Sequence, residues 1–361
     1  MAELLIKTDK LIGNISKINN FLEKHNVHWS LIVKVLSGNK ELLRKILFHP
    51  EIKRIHSIGD SRISGLKTIK SINPNIPTIY IKPPPIDTIK SVVKYADISL
   101  NTSLTTIRAL NEEAKKQGKK HRIIVMIELG ELREGVIREN IINFYQEVLN
   151  LENIVVEGIG ANLGCMYGIR PTYDKLLQLS IFKQIIDTKF NINLPLISGG
   201  SSITLPLVSN REMPKNINHL RIGEAAFLGT SPLHGKKFRD LSTDIFEFSS
   251  NIIELQMKPT SPDGMLTDGN IGHTVDDWEY DKSYRAILDF GILDVDANEL
   301  KPKDKNVRFA GTTSDMTVYD LGPNPKTGKI KYKVGSKICF TPSYMAVARL
   351  MNSKFIDKKI V

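Results

Sequence analysis

The sequence predicts an α/β fold: a (β/α)8 barrel of the TIM type followed by a mostly β C-terminal domain. Three observations carry this. Short apolar runs alternate with segments of helical periodicity from residue 8 to about residue 238, the alternation reaches eight strand-plus-helix units, and near Leu241 it gives way to short runs of β-formers. Eight parallel units of this length argue for a closed barrel over an open doubly wound sheet. The expected domains are 8–238 for the barrel and 239–361 for the β domain, which residues 1–7 are expected to join.

Taken in order, residues 3–7 read as a short strand, and Asp9 stands where a helix cap belongs, ahead of Leu11, Ile12, Ile15, Ile18 and Leu22 at helical spacing. The barrel strands are expected at 29–34, 54–59, 78–81, 97–100, 122–127, 155–163, 194–198 and 219–223. Between them lie helical patterns at 40–48, 61–72, around Val92 and Val93, and at 104–116, 139–149, 173–190 and 203–208. Pro83, Pro84 and Pro85 break the chain ahead of the third of these. In the β domain, strands are expected at 246–257, 284–290, 307–310, 330–334 and 338–341, punctuated by Asp268-Gly269 and Pro323-Asn324-Pro325.

Composition narrows the function classes. The apolar fraction of 41% and charged fraction of 25% are those of an ordinary globular protein. The net charge of +11 comes from lysines scattered among acidic residues, with no basic stripe interleaved with aromatics, which argues against a nucleic-acid partner. A mildly positive field still favours small anions. Cys165 and Cys339 form no CxxC pattern, so neither a disulfide framework nor a cysteine-rich metal site is expected. The N-terminal stretch turns polar after a few residues, and no run is long enough to cross a bilayer, so a cytoplasmic protein with no membrane partner is expected.

Active sites of such barrels lie at the carboxyl ends of the strands. The run from Trp29 delivers Lys34 there. A lysine at the end of a buried apolar strand is costly unless its amine serves as a nucleophile, as Schiff-base chemistry requires, although a solvated loop lysine explains the same residue. The 122–127 strand leads to Arg133 in a glycine-flanked loop, and 155–163 delivers Asn162 among small residues. Strands seven and eight end in Ser198-Gly199-Gly200-Ser201-Ser202 and Arg221-Ile222-Gly223. Barrels commonly bind phosphate after these two strands, although serine and glycine are equally ordinary turn residues. A nucleophilic lysine opposite a phosphate cradle is what a pyridoxal 5'-phosphate enzyme needs.

The stretches LIVK at 31–34, VVKYADISLN at 92–101, ELGELREG at 128–135, GIGANLGC at 158–165, SGGSS at 198–202, LRIGEAAFLG at 220–229 and TSDM at 313–316 span nearly the whole chain. In them the sequence resembles the fold-type III pyridoxal phosphate family, the alanine racemase group, and within it the ornithine racemase branch. The resemblance implies an amino-acid racemase acting on a diamino acid such as ornithine or lysine. Lys34 would form the Schiff base with the cofactor and act as one of two proton-transfer bases, and Arg221 would point at the pyridine nitrogen. Arg133 would lie near the phenolic oxygen and the substrate carboxylate. Asn162 would take the place of a ring-stacking histidine. Ser201, Ser202 and the backbone of Ile222 and Gly223 would hold the phosphate, with Tyr344 as a further contact. Asp315 would lie near the substrate entrance, and Asp294, Asp296 and Asp315 could pair with a distal ammonium. The family commonly forms head-to-tail homodimers, and no metal is implied.

Two departures stand out. Ile292 occupies the place of the tyrosine that serves the family as second base, and Gly38 the place of a phosphate-binding tyrosine. Asp294, Asp296, Tyr167 and Cys165 are candidates for the missing base. Two rivals share the barrel. A non-catalytic pyridoxal phosphate carrier lacks a second domain, and a D-amino-acid lyase needs a metal held by histidine and cysteine. Cys339 is present, but no histidine follows His273 to partner it.

Overall fold

The computed structural model describes residues 2–266, 279–323 and 331–361. The chain divides into two compact units, one of Asp9–Thr243 and one of Met1–Thr8 with Asp244–Val361. β1 (Glu3–Ile6) leads into α1 (Thr8–Glu23), whose Leu11, Ile15, Ile18 and Leu22 form a fully buried stripe at helical period.

The barrel then follows as β2 (His28–Ile32), α2 (Lys40–Leu47), β3 (Ser57–Asp60), α3 (Ile63–Ile72), β4 (Thr78–Tyr80), α4 (Ile89–Tyr95), β5 (Ile98–Asn101) and α5 (Leu104–Lys116). It continues with β6 (His121–Met126), α6 (Ile141–Leu149), β7 (Ile154–Gly160), α7 (Tyr173–Phe190), β8 (Leu196–Ser201), α8 (Leu205–Ser209), β9 (His219–Ile222) and α9 (Glu224–Leu228). β2 to β9 are parallel neighbours, and β9 returns to β2 with Leu31 opposite Ile222, so the sheet closes. The predicted eight-stranded barrel is the observed one. Its caps are conventional: the Asn39, Ser103 and Thr172 side chains accept from the first free N–H groups of α2, α5 and α7.

The buried residues of the barrel strands include both apolar and polar groups. Ile79, Ile98, Leu100, Ile124, Met126 and Leu196 form one apolar cluster. On β2, β3, β8 and β9, Ser30, Ser57, Ser198, His219 and Arg221 are equally buried and polar. That polar sector requires internal partners for every group it contains.

Two expectations about strand ends are corrected. β2 stops at Ile32, and Val33 makes the last ladder bond, to the Gly59 carbonyl at 2.8 Å. Lys34 opens a 3-10 turn to Leu36, closed by Ser37 at φ 49°. Because that turn buries Val35 and Leu36, it rotates Lys34 outward, and its side chain is exposed rather than buried. β8 runs on through Ser201, so SGGSS is mostly strand rather than loop. Its pairing with β9 shifts between Ser198 and Ser201. Gly200 there adopts φ +124°, and a Cβ on it would sit 2.4 Å from Thr204 Oγ1.

A small hairpin of β10 (Thr230–Ser231) and β11 (Lys236–Lys237) ends the barrel unit. The other unit contains β12 (Phe246–Pro259), β13 (Lys282–Leu288), β14 (Leu300–Pro302), β15 (Arg308–Thr312), β16 (Thr317–Asp320), β17 (Lys337–Pro342), α10 (Tyr344–Asn352) and β18 (Asp357–Ile360). Their order is β14-β17-β12-β13-β16-β15, with β1 antiparallel to β12 and parallel to β18. The unit is mostly β, as predicted, and its sheet is mostly antiparallel. Phe248, Phe290 and Phe340 meet at its core with ring centroids 5.0 to 6.0 Å apart, and Tyr319 joins them at 5.2 Å from Phe340. The strand expected at 330–334 does not form over 331–334, where Lys333 and Ser336 make a turn instead. Asp268-Gly269, Asn324-Pro325, Ile330 and His273 lie outside the described residues.

Candidate active site

The carboxyl ends of the barrel strands deliver Lys34, Arg133, Asn162, Ser201, Ser202, Arg221, Ile222 and Gly223 to one face of one unit. Arg221, near the end of β9, is the most constrained. It is 4% exposed, and its guanidinium donates to the Ser198 hydroxyl and carbonyl, to the Ala161 carbonyl at 2.8 Å and to Asn162 Oδ1 at 2.6 Å. Every one of these acceptors is neutral. Burial pulls its pKa down to about 10, against the nearby Cys165 and Glu134 groups that favour the charge.

Asn162 couples Arg221 to Arg133. Its Nδ2 donates to Glu134 while its Oδ1 accepts from Arg221, and since a carboxylate only accepts and a guanidinium only donates, the amide orientation is fixed. Arg133 donates to both oxygens of Glu134, through NH2 at 2.7 Å and through Nε, and this bond holds the Arg133 pKa above its usual value. The Arg133 side chain remains exposed to solvent on its other side. The chain Arg133, Glu134, Asn162, Arg221 is therefore one rigid polar unit bearing two cations and one anion.

The loop beyond Asn162 is organised by Glu131, which is 2% exposed. Its carboxylate accepts from the backbone N–H of Cys165 (3.1 Å), Met166 (2.7 Å), Tyr167 (3.0 Å) and Ile169 (2.8 Å). Burial raises its pKa, and the four donors outweigh burial and hold it below the ordinary value. Cys165 and Tyr167 thus stand exposed on a loop fixed from beneath. Asp60, buried at the end of β3, has its pKa raised by burial despite the backbone N–H of Arg62 and Ser61 and the Lys34 charge.

The residues at the ends of β8 and β9 are tied together. A 3-10 turn begins at Ser202, whose hydroxyl accepts from Ala225 N at 3.1 Å, tying the end of β8 to the segment after Gly223. Ser202, Ile222 and Gly223 are buried, and Ser201 is partly exposed. The Cβ-free Gly200 allows the chain to curl there. A primary amine, two guanidiniums, hydroxyls and a tight glycine turn form a donor set that suits an anionic, amine-reactive ligand.

Four sequence-predicted residues, Tyr344, Asp294, Asp296 and Asp315, belong to the other unit. Tyr344 opens α10 behind the Ser343 cap and is half-buried. Asp294 accepts from Gly291 N at 3.4 Å and Ser353 Oγ at 3.0 Å, and Asp296 caps a turn through Asn298 N at 3.0 Å. Asp315 is exposed and accepts from the Ser314 and Thr313 hydroxyls. Ile292 is exposed on the loop bonded to Thr313. Among the described residues no group of histidine, cysteine, aspartate or glutamate could hold a metal, and no helix is long and apolar enough to cross a membrane.

Sequence reasoning passed over Glu131, Glu134, Ser198 and His219. Two signals pointed to them. Glu131 and Glu134 flank Arg133 within one loop, and His219 and Arg221 are two apart on a strand, hence on one face.

The fold defines a two-unit barrel protein whose strand ends gather an amine, two guanidiniums and hydroxyls on one face. Residues 6–232 match the family described as alanine racemase, N-terminal domain, and the chain belongs to that family. It is 33% identical to the ornithine racemase of Acetoanaerobium sticklandii, covering 99% of each chain. It is 29% identical to the lysine racemase of Thermotoga maritima, covering 98% of this chain and 97% of that one. The crystal structure of alanine racemase from Bartonella henselae with covalently bound pyridoxal phosphate shares the fold, with a TM-score of 0.74 at 14% identity over 100% of this chain and 99% of that one.

Proposed function

We propose that this protein is a pyridoxal 5'-phosphate-dependent racemase that interconverts the L and D enantiomers of a diamino acid, ornithine or lysine. The observation that carries the chemistry is the buried Arg221 with only neutral acceptors around it. The end-to-end similarity to racemases of ornithine and lysine supports the substrate class.

When bound, pyridoxal 5'-phosphate supplies an electron-withdrawing carbonyl that condenses with an amine and acidifies the substrate Cα hydrogen. Lys34 Nζ, exposed at the end of the first barrel strand, holds the cofactor and moves the Cα proton on one face. Arg221 would donate an N–H toward the ring nitrogen and so disfavour its protonation. Arg133, steadied by Glu134, orients the substrate carboxylate, and Asn162 keeps the two guanidiniums in register. Ser201, Ser202 and the backbone of Ile222 and Gly223 bind the phosphate. Asp315, exposed and bonded among the described residues to neighbouring hydroxyls, is a better receiver of a distal ammonium than Asp294, whose two oxygens are already engaged. Two-base inversion needs a second group on the opposite face. Cys165 and Tyr167, on the Glu131-anchored loop, are the candidates from the barrel.

The same reading makes the protein a cytoplasmic head-to-tail homodimer. The exposed apolar cluster Ile292, Leu293 and Met316 on two hydrogen-bonded loops supports an interface there. Chiral chromatography after incubating the chain with pyridoxal 5'-phosphate and single L-amino acids tests the function. D-ornithine or D-lysine should accumulate while alanine and serine stay unchanged, and Lys34→Ala should abolish the conversion. Inversion of none of them would overturn the reading.

A further inference from the structure

The polar sector of the barrel contains a chain of hydrogen bonds that the reaction just described does not use. Ser198 Oγ accepts from Arg221 and lies 2.8 Å from His219 Nδ1. His219 Nε2 lies 2.9 Å from Ser30 Oγ, which is 2.7 Å from Ser57 Oγ, itself 3.3 Å from His56 Nδ1. His219, Ser30, Ser57 and Ser198 are all buried to 1% exposure or less.

Direction follows from donor counting. Arg221 can only donate, so the Ser198 oxygen receives that bond and its own proton is available to His219. In the arrangement that gives every proton an acceptor, Nδ1 accepts from Ser198 and Nε2 carries the hydrogen, which goes to Ser30. The Ser30 proton passes to Ser57 and the Ser57 proton to His56. In this arrangement no proton is left without an acceptor and no two donors face each other. A second proton on His219 would set Nδ1–H against the Ser198 hydroxyl and place a cation in the barrel beside Arg221. The other titratable groups facing the ring are His56, with ring centroids 5.0 Å apart, and His28. Burial and these neighbours keep the imidazole neutral.

We propose that His219 is a positioning residue for Arg221: as a neutral Nε2–H imidazole it fixes the Ser198 hydroxyl, which in turn holds the guanidinium toward the ring nitrogen of the cofactor. The relay lets the barrel orient a cation without supplying a carboxylate that would neutralise it. This rests on the cofactor reading above, and the tests separate the two.

The first test is 15N NMR of the histidine side chains in the cofactor-free chain, which reads the tautomer without any cofactor. His219 should be the Nε2–H form and stay neutral well below the ordinary histidine range. A Nδ1–H tautomer or a charged ring overturns the relay. The second is the dissociation constant and visible absorption band of bound pyridoxal 5'-phosphate in two variants. His219→Leu should weaken binding about tenfold and shift the band, the loss expected for one buried hydrogen bond. His219→Asn, which retains an acceptor for Ser198, should stay within about threefold of the parent. Equal affinities in the parent and His219→Leu would overturn the positioning role. If the parent chain itself takes up no pyridoxal 5'-phosphate, the cofactor reading fails, and the tautomer still decides the relay.

Discussion

Arg221 in the barrel and Arg285 in the β unit are almost equally buried, at 4% and 7% exposure, and their partners differ in kind. Arg285 Nε lies 3.2 Å from Asp320 Oδ2. Asp320 also accepts from Ser283 Oγ, from Tyr280 OH at 2.6 Å and from Gly322 N at 2.9 Å. That cluster is closed, with opposite charges in contact and every carboxylate oxygen used. Arg221 has carbonyls, a hydroxyl and an amide around it, and no carboxylate within ion-pair distance among the described residues. A buried pair saves a structure from an unpaired charge, whereas a buried cation with neutral neighbours keeps its field available for a ligand.

The contrast predicts opposite responses to the same substitution. Arg285→Met strands Asp320 as an uncompensated buried carboxylate, and urea unfolding should register a loss of about 3–5 kcal/mol. Arg221→Met removes a desolvated cation and leaves only neutral acceptors unpaired, so the gain and the cost should cancel to within about 2 kcal/mol. Cofactor affinity should nevertheless fall. Equal losses of stability in the two variants would make Arg221 a structural residue and collapse the distinction.

Much of this was legible in the sequence. Helices 104–116 and 173–190 were read to the residue, because runs of good helix formers define them locally and Ser103 and Thr172 cap their N-termini. The strands were placed to within a few residues. What could not be read were properties that depend on closure of the barrel. The exposure of Lys34 follows from a 3-10 turn whose apolar residues are held by the rest of the unit. The extension of β8 through two glycines follows from a register shift against β9. β14, β16 and β18, of three to four residues each, are too short to show a period of two. The network through Glu134, Asn162 and Arg221 joins residues 59 positions apart at its longest printed step, and no local pattern encodes that.

The two units also differ in how they should respond to acid, with a smaller effect. All seven described histidines belong to the barrel unit. Burial, with the nearby positive charges of Arg122 and His28, pulls His56 down to about 4, and burial with Lys119 does the same for His121, whose Nε2 lies 2.8 Å from Ser99 Oγ. A folded pKa below the unfolded value of about 6.5 means that the unfolded chain takes the proton first. The barrel therefore keeps its full stability above about pH 6.5 and loses up to about 1.4 kcal/mol per such histidine for each unit of pH on the way down to about 4. In the β unit the corresponding groups are carboxylates. Asp304, held by Lys331 and by Asn306 N, lies at about 2, so its contribution is intact above the ordinary aspartate range and is lost only as pH falls through that range toward 2. Hydrogen exchange read by mass spectrometry, corrected for intrinsic rates, should show barrel peptides opening between pH 6.5 and 4.5 while β-unit peptides keep their protection. His121→Gln should delay that opening, since its amide can meet Ser99 and does not titrate. Simultaneous loss of protection in both units would mean that acid acts on the chain as one cooperative body, and the contrast between the barrel and the β unit would then be one of chemistry alone.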